Sequence, residues 1–204
     1  MRNFHLILAF TVTIFLLESH IALTISIHSP QPILPFIILL TMSITTTVVK
    51  GPLNLGNLPS EFSTNPILSW YAKYAVDFSI AKTTTPPTKY YASNATLVNV
   101  DQSIICGAKE IWDYYIDIYG HFERCVHDLI SIVVLSDEEC GKHTMIVETT
   151  NNLHLKDGKG IVPVPQAFVY DIAKSEEECG TDGLQIWKLK CYFDKGLLER
   201  AAST

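Results

Sequence analysis

The stretch Gly183-Leu-Gln-Ile-Trp-Lys-Leu-Lys-Cys-Tyr-Phe-Asp194 decides how the rest of this chain is read. A turn glycine leads into apolar residues alternating with polar ones, the two-residue period of a strand with one face on a core. An aromatic pair and an aspartate close it. Working back from it, Cys125–Leu135, His143–Leu155 and Ile161–Ala173 have the length and β-branched content of long strands. Turn-forming runs separate them: Ser136–Lys142, Lys156–Gly160 and the acidic Ser175–Gly183. Long strands joined by tight loops predict an antiparallel meander.

The helices precede these strands. Asn65-Pro66 supplies an N-cap and a first-turn proline. Ile67, Leu68, Tyr71, Ala75 and Phe78 then recur at helical spacing, which predicts a helix over 66–82. Thr83–Thr88, with its two adjacent prolines, breaks it. Tyr90–Val100 reads as a strand that turns at Asp101-Gln102 into Ser103–Cys106. Gly107 opens a second helix with Ile111, Trp112, Tyr115, Ile118 and Tyr119 on one apolar face and Gly120 as its C-terminal cap. Helices first and a run of strands afterwards is an α+β order.

Composition bounds the function classes. The chain has 204 residues, 48% hydrophobic and 18% charged, with a formal charge of −6. That is room for one domain with some extra. No basic run is present to neutralise phosphates, which argues against nucleic acid. The five cysteines, 106, 125, 140, 179 and 191, are odd in number and widely spaced. They read as reduced thiols rather than a disulfide framework or a zinc site. Asn94-Ala-Thr96 is a glycosylation sequon, which matters only on a secretory route.

Much of the hydrophobic excess lies in residues 1–49. Two apolar runs, Phe4–Leu17 and Ile33–Leu40, are each shorter than the ~20 residues that cross a bilayer. This leader reads either as a secretory signal or as upstream sequence ahead of a start at Met42. The first alternative implies a secreted or membrane-anchored protein and the second a cytoplasmic one. Residues 50–64 read as an arm, 65–200 as the domain, and Lys195–Thr204 as a short tail whose last residues, 201–204, lie beyond the domain.

With these elements placed, residues 65–200 resemble the SnoaL-like family of the nuclear transport factor 2-like superfamily. The Tyr192-Phe-Asp194 ending, the aromatic Tyr90-Tyr-Ala-Ser-Asn-Ala-Thr-Leu97 entering the first strand, and Gly107-Ala-Lys-Glu-Ile-Trp112 carry the resemblance. It implies a cystatin-like cone, in which N-terminal helices pack on a curved, mainly antiparallel sheet around one apolar pocket. It also implies a homodimer, a small apolar molecule as partner, and chemistry without a cofactor; no metal site and no membrane contact of the folded domain are expected. The pattern departs from limonene-epoxide-hydrolase-like relatives. Cys191 stands where they carry an aspartate, and Met145–Leu155 lacks their Arg-x-Asp, so epoxide hydrolysis is disfavoured.

His127 is the leading catalytic candidate, because a neutral imidazole can take or deliver a proton near pH 7. A catalytic histidine at a similar strand position is what the resemblance to scytalone dehydratase implies. Strand alternation groups His127 with Leu129, Ser131 and Val133. Late in the first helix, Tyr74 is the candidate to polarise a carbonyl and Asp77 to orient His127. Tyr71, Tyr91 and Trp112 are the candidate substrate-binding residues. Glu148, Thr150, Asn152 and His154 alternate on one strand face and read as exposed. Two functions are compatible with this set: a dehydratase or isomerase of an apolar oxygenated metabolite by histidine-centred acid–base chemistry, or a non-catalytic ligand-binding or dimerisation module.

Overall fold

The structure, a computed structural model, describes residues 9–17, 20–28, 40–53 and 58–203, with side chains from Ile44 onward. Among these, nine strands form one sheet in the order β1-β2-β3-β6-β7-β8-β9-β4-β5. The strands are β1 Ala9–Leu17, β2 His20–His28, β3 Leu40–Leu53, β4 Tyr91–Val98, β5 Ile104–Cys106, β6 Arg124–Asp137, β7 Lys142–His154, β8 Ile161–Lys174 and β9 Leu184–Phe193. The helices are α1 Glu61–Thr64, α2 Pro66–Ile80, α3 Ala108–Gly120 and α4 Lys195–Ala202. The expected α+β class holds, and the meander β6-β7-β8-β9 is antiparallel throughout. β4 then pairs with β9 in parallel, which a contiguous meander does not contain.

Local chemistry sets the helix starts. The Asn65 side chain accepts from the backbone N–H of Ile67 at 2.9 Å and Leu68 at 3.2 Å, satisfying two donors of the first turn of α2. Its amide also donates to Thr47 Oγ1 at 3.1 Å, tying the helix start to β3. Gly107, at φ +105°, makes the turn into α3 in a region that favours glycine. The buried amide of Gln185 donates to Thr88 O at 2.6 Å and to Tyr91 O at 3.0 Å and accepts from Glu176 N at 2.8 Å. These bonds hold β4 against β9 where their register shifts, between Tyr91 and Thr96.

The chain enters the sheet earlier than the domain expected from residue 65. Ile44 to Lys50 pair with Asp137 to Ser131 of β6, and Leu53 pairs with Leu129. The Gly51-Pro52 signal that reads as an arm marks a register shift within this strand, a place where proline is tolerated in a sheet. Of the expected leader and arm, residues 1–8, 18–19, 29–39 and 54–57 lie outside the described residues, as does Thr204. The expected tail is a helix instead. The Asp194 side chain accepts from Leu197 N at 3.0 Å and caps α4, whose Leu198 and Ala201 are buried. Among the described residues no helix is long and apolar enough to cross a membrane.

One core lies between α2, α3 and the inner sheet face, with Ile67, Leu68, Trp70, Leu97, Ile111, Ile132, Met145, Leu153, Ile172 and Leu189 buried in it. The outer face carries an apolar row as well, through Val48, Val133, Ile146 and Val169 in successive strands.

Candidate functional site

Helix α2 builds one wall of a cavity of about 210 Å³ with Tyr71, Tyr74, Ala75, Phe78 and Ser79. Their spacing is the three-and-four pattern of a single helix face. Tyr115 and Tyr119 of α3 form a second wall, and Cys125, His127, Leu129, Thr149, Phe168 and Tyr170 rise from β6, β7 and β8. The lining is mostly ring carbon and aliphatic carbon, with phenols and one imidazole as its main polar groups, the composition of a small-molecule site.

A bulge decides which strand residues reach this cavity. The register of β6 against β7 shifts between Leu129 and Ser131, leaving Ile130 exposed and unpaired. Cys125, His127 and Leu129 face inward before it; Ile132, Val134 and Ser136 do so after it. The expected grouping of His127 with Ser131 and Val133 therefore fails beyond Leu129. The same shift puts His127 opposite Asn151 and Leu129 opposite Thr149. Glu148, Thr150, Asn152 and His154 turn to the outer face as expected, since the residues between them, Thr149, Asn151 and Leu153, are the buried ones.

His127 is half-buried and lines the cavity. Burial pushes its pKa down to about 4; the charge of Lys82 adds to this, and Asp128 and Gln166 oppose it. The imidazole is therefore neutral across physiological pH. Its ring meets the Tyr119 ring edge-on at 6.0 Å between centroids. Gln166 interacts with both the Tyr119 hydroxyl and the His127 ring, and its own Oε1 has no well-formed hydrogen bond. Beside His127, the fully buried Asn151 leaves both amide atoms unpartnered among the described residues. Two buried amides with spare hydrogen-bonding capacity thus flank the imidazole, an arrangement that cores avoid.

The tyrosines stay protonated. Burial raises the pKa of Tyr71, Tyr74, Tyr115, Tyr119 and Tyr170 well above the ordinary phenol value. Tyr74 lies at the centre of the aromatic cluster and touches the rings of Trp70, Tyr71, Phe78, Tyr90, Tyr91, Trp112 and Tyr170. Its hydroxyl shares a 2.9 Å hydrogen bond with that of Tyr91.

Of the residues expected at the site, His127, Tyr74 and Tyr71 line the cavity and the other three do not. Asp77 lies about 130° around α2 from the centre of the cavity face. It accepts from Lys89 Nζ at 2.6 Å and from the Tyr90 hydroxyl at 2.8 Å, on the far side of the helix. Lys89 beside it holds the carboxyl below its usual range, despite some desolvation. No Asp77–His127 pair forms. Trp112 packs under the cluster, and its indole N–H donates to Lys82 O at 2.6 Å, so it is core rather than pocket wall. Tyr91 reaches the cavity only through Tyr74. Cys191 does face inward, where the Tyr115 hydroxyl lies 3.8 Å from its sulfur and the thiol lies 3.6 Å from Asn99 Oδ1. Burial pushes that thiol up to about 11, so it is not a nucleophile at neutral pH.

Thr149, Phe168 and Tyr170 line the cavity, and Gln166 and Asn151 support it, without being singled out by the sequence; Tyr119 lines it too, although its spacing reads only as part of the apolar face of α3. Hairpin counting from the Ser136–Lys142 turn could have proposed partners for His127. Without the bulge, however, that count lands on Asn152 and on the wrong face.

No family model matches the chain, and no curated protein matches it in sequence. Solved structures do match it in shape. Kfla4162 from Kribbella flavida superposes with a TM-score of 0.54 at 16% identity, covering 70% of this chain and 100% of its own. The hexachlorocyclohexane dehydrochlorinase LinA-type3 from Novosphingobium barchaimii gives 0.50 at 11% identity, over 65% and 86% of the two chains. A scytalone dehydratase candidate from Novosphingobium aromaticivorans gives 0.50 at 10%, over 65% and 87%. At these identities the likeness is one of fold. The chain has a cystatin-like fold.

Proposed function

We propose that the protein is a cofactor-free lyase or isomerase for an apolar oxygenated small molecule, with His127 as the proton-transfer group. The observation that carries this reading is a neutral imidazole opening into a cavity walled by protonated phenols. The fold likeness to a dehydrochlorinase and to a scytalone dehydratase candidate supports the same class. A bound ketone or β-hydroxyketone would place its oxygen against a phenol of Tyr74 or Tyr119 and its α-carbon against His127. The imidazole accepts the α-proton while the phenol stabilises the developing enolate oxygen. The resulting imidazolium meets no carboxylate in the cavity lining and only the partial support of Asp128 beside it, so it gives up its proton readily. It returns its proton either to a second carbon, which gives isomerisation, or to a leaving hydroxyl, which departs as water. Gln166 is a positioning residue that holds the ring, and Asp77 has no part in the step.

One observation favours the alternative of a binding module: no carboxylate lines the cavity to support an imidazolium. Exchange of the α-protons of β-tetralone for deuterium, followed by NMR, separates the two. Exchange faster than buffer is expected, falling by about a hundredfold or more in His127→Gln and unchanged in Asp77→Asn. Exchange no faster than buffer, or equal in His127→Gln, would leave the binding module as the function.

A further inference from the structure

One end of the cavity, which we treat as its mouth, has a different character from the rest. A smaller recess of about 140 Å³ shares Phe78, Ser79, Tyr119, Cys125 and His127 with the main cavity and adds Lys82, Glu123 and Arg124. Lys82 comes just after the end of α2 and Arg124 opens β6, so two unrelated elements each bring a cation to one rim. Several other lysines of the described residues are engaged. Lys73 pairs with Asp182 at 2.6 Å and Lys89 with Asp77 at 2.6 Å, and Lys109 pairs with Asp113. Lys82 and Arg124 enter no ion pair among the described residues. Lys82 is half-buried, and its charge is felt inside, where it disfavours protonation of His127 and favours the thiolate of Cys125. The rim is thus locally cationic on a chain whose formal charge is −6.

We propose that the cavity takes an amphiphilic acid, its apolar body among the rings and its carboxylate at the mouth between Lys82 and Arg124. This rests on the pocket reading above and narrows its substrate class. A guanidinium fork and an ammonium are the groups that suit a planar carboxylate, and the half-buried Lys82 is screened less than the exposed Arg124. Glu123 on the same rim opposes the anion, which makes the selection a balance of two cations against one acid. A carboxylate seated there would also lie beside His127. It would give the imidazolium the counter-charge that Asp77, turned away on α2, does not provide.

The test compares β-naphthylacetate with β-naphthylethanol, nearly the same shape without the charge, by calorimetric titration of the full chain. The acid is expected to bind about tenfold more tightly at low salt, a preference that shrinks in about 0.5 M sodium chloride. Lys82→Gln and Arg124→Gln should each weaken the acid several-fold and leave the alcohol unchanged, and Glu123→Gln should strengthen the acid. Equal binding of the two compounds, or variants that weaken both alike, overturns the anionic substrate while leaving the pocket standing. Failure of both compounds to bind overturns the pocket reading and this one together.

Discussion

At His127 the folded state refuses a proton that the unfolded chain accepts. Its pKa is about 4 in the fold against an ordinary 6.5. As pH falls through that window, the unfolded state binds the proton first and gains free energy relative to the native state. The contribution of His127 is therefore complete above pH 6.5 and is lost progressively toward pH 4. Between pH 7 and 4.5 the loss is on the order of 2 kcal/mol. Urea denaturation of the wild type and His127→Gln at both pH values isolates it, because the carboxylates that also titrate are common to the two chains. A wild type no more acid-sensitive than the variant would contradict the half-buried, neutral imidazole. The candidacy of His127 was legible because an imidazole can move a proton near pH 7 and because the family resemblance places a histidine at a similar strand position. The failure at Asp77 was not legible, since Tyr74 and Asp77 are near neighbours on a helical projection. What separates them is Lys89 and Tyr90, which arrive from the next segment of the chain and take the carboxylate.

At the scale of elements, the bulge in β6 and the register shift in β3 face one another. Gly51 of β3 approaches the bulged backbone so closely that a Cβ there would lie 2.4 Å from Leu129 O and 2.9 Å from Ile130 O. Both atoms are backbone and cannot swing aside. Gly51→Ala is expected to cost about 2 kcal/mol or more, lowering the thermal midpoint by about 5 °C for a domain of this size. Calorimetry reads it directly, and an unchanged midpoint would mean that β3 does not lie against the bulge. The same pair of irregularities explains what sequence could and could not supply. The extents of α2, α3 and the four long strands are set by hydrophobic period and turn residues, and these are local. Gly51-Pro52 carries the local signature of a loop and becomes strand only because β6 accommodates it. Asp194 likewise reads as a strand end, and only the burial of Leu198 and Ala201 makes a helix of Lys195–Ala202.

For the whole molecule, the first consequence concerns where the folded unit begins. Residues 44–53 cover one edge of β6 over most of its length. A chain starting at Met42 keeps every one of these pairings, whereas a chain starting at residue 54 leaves the apolar edge of β6 open to other chains. Residues 42–204 are expected to give a soluble, cooperatively melting protein, and residues 54–204 to aggregate or melt at least several degrees lower. Size-exclusion chromatography and thermal melts decide it, and equal behaviour would show that β3 is dispensable. The cavity too is a property of the whole, assembled from α2, α3, β6, β7 and β8. Its polar lining escaped local reading for that reason, since Thr149 meets Gln166 only through the pairing of β7 with β8.

The strand Leu184–Phe193 lies between β8 and β4, inside the sheet, although β5, α3 and β6 to β8 all come between it and β4 along the chain. During synthesis β4 and β5 leave the ribosome about ninety residues before the partner that β4 pairs with in parallel. The early helices meanwhile have only an incomplete sheet to settle on. The sheet therefore cannot close around β4 until β9 has been made, with tyrosine- and tryptophan-rich surface exposed until then, and any product of translation truncated before β9 inherits that exposure.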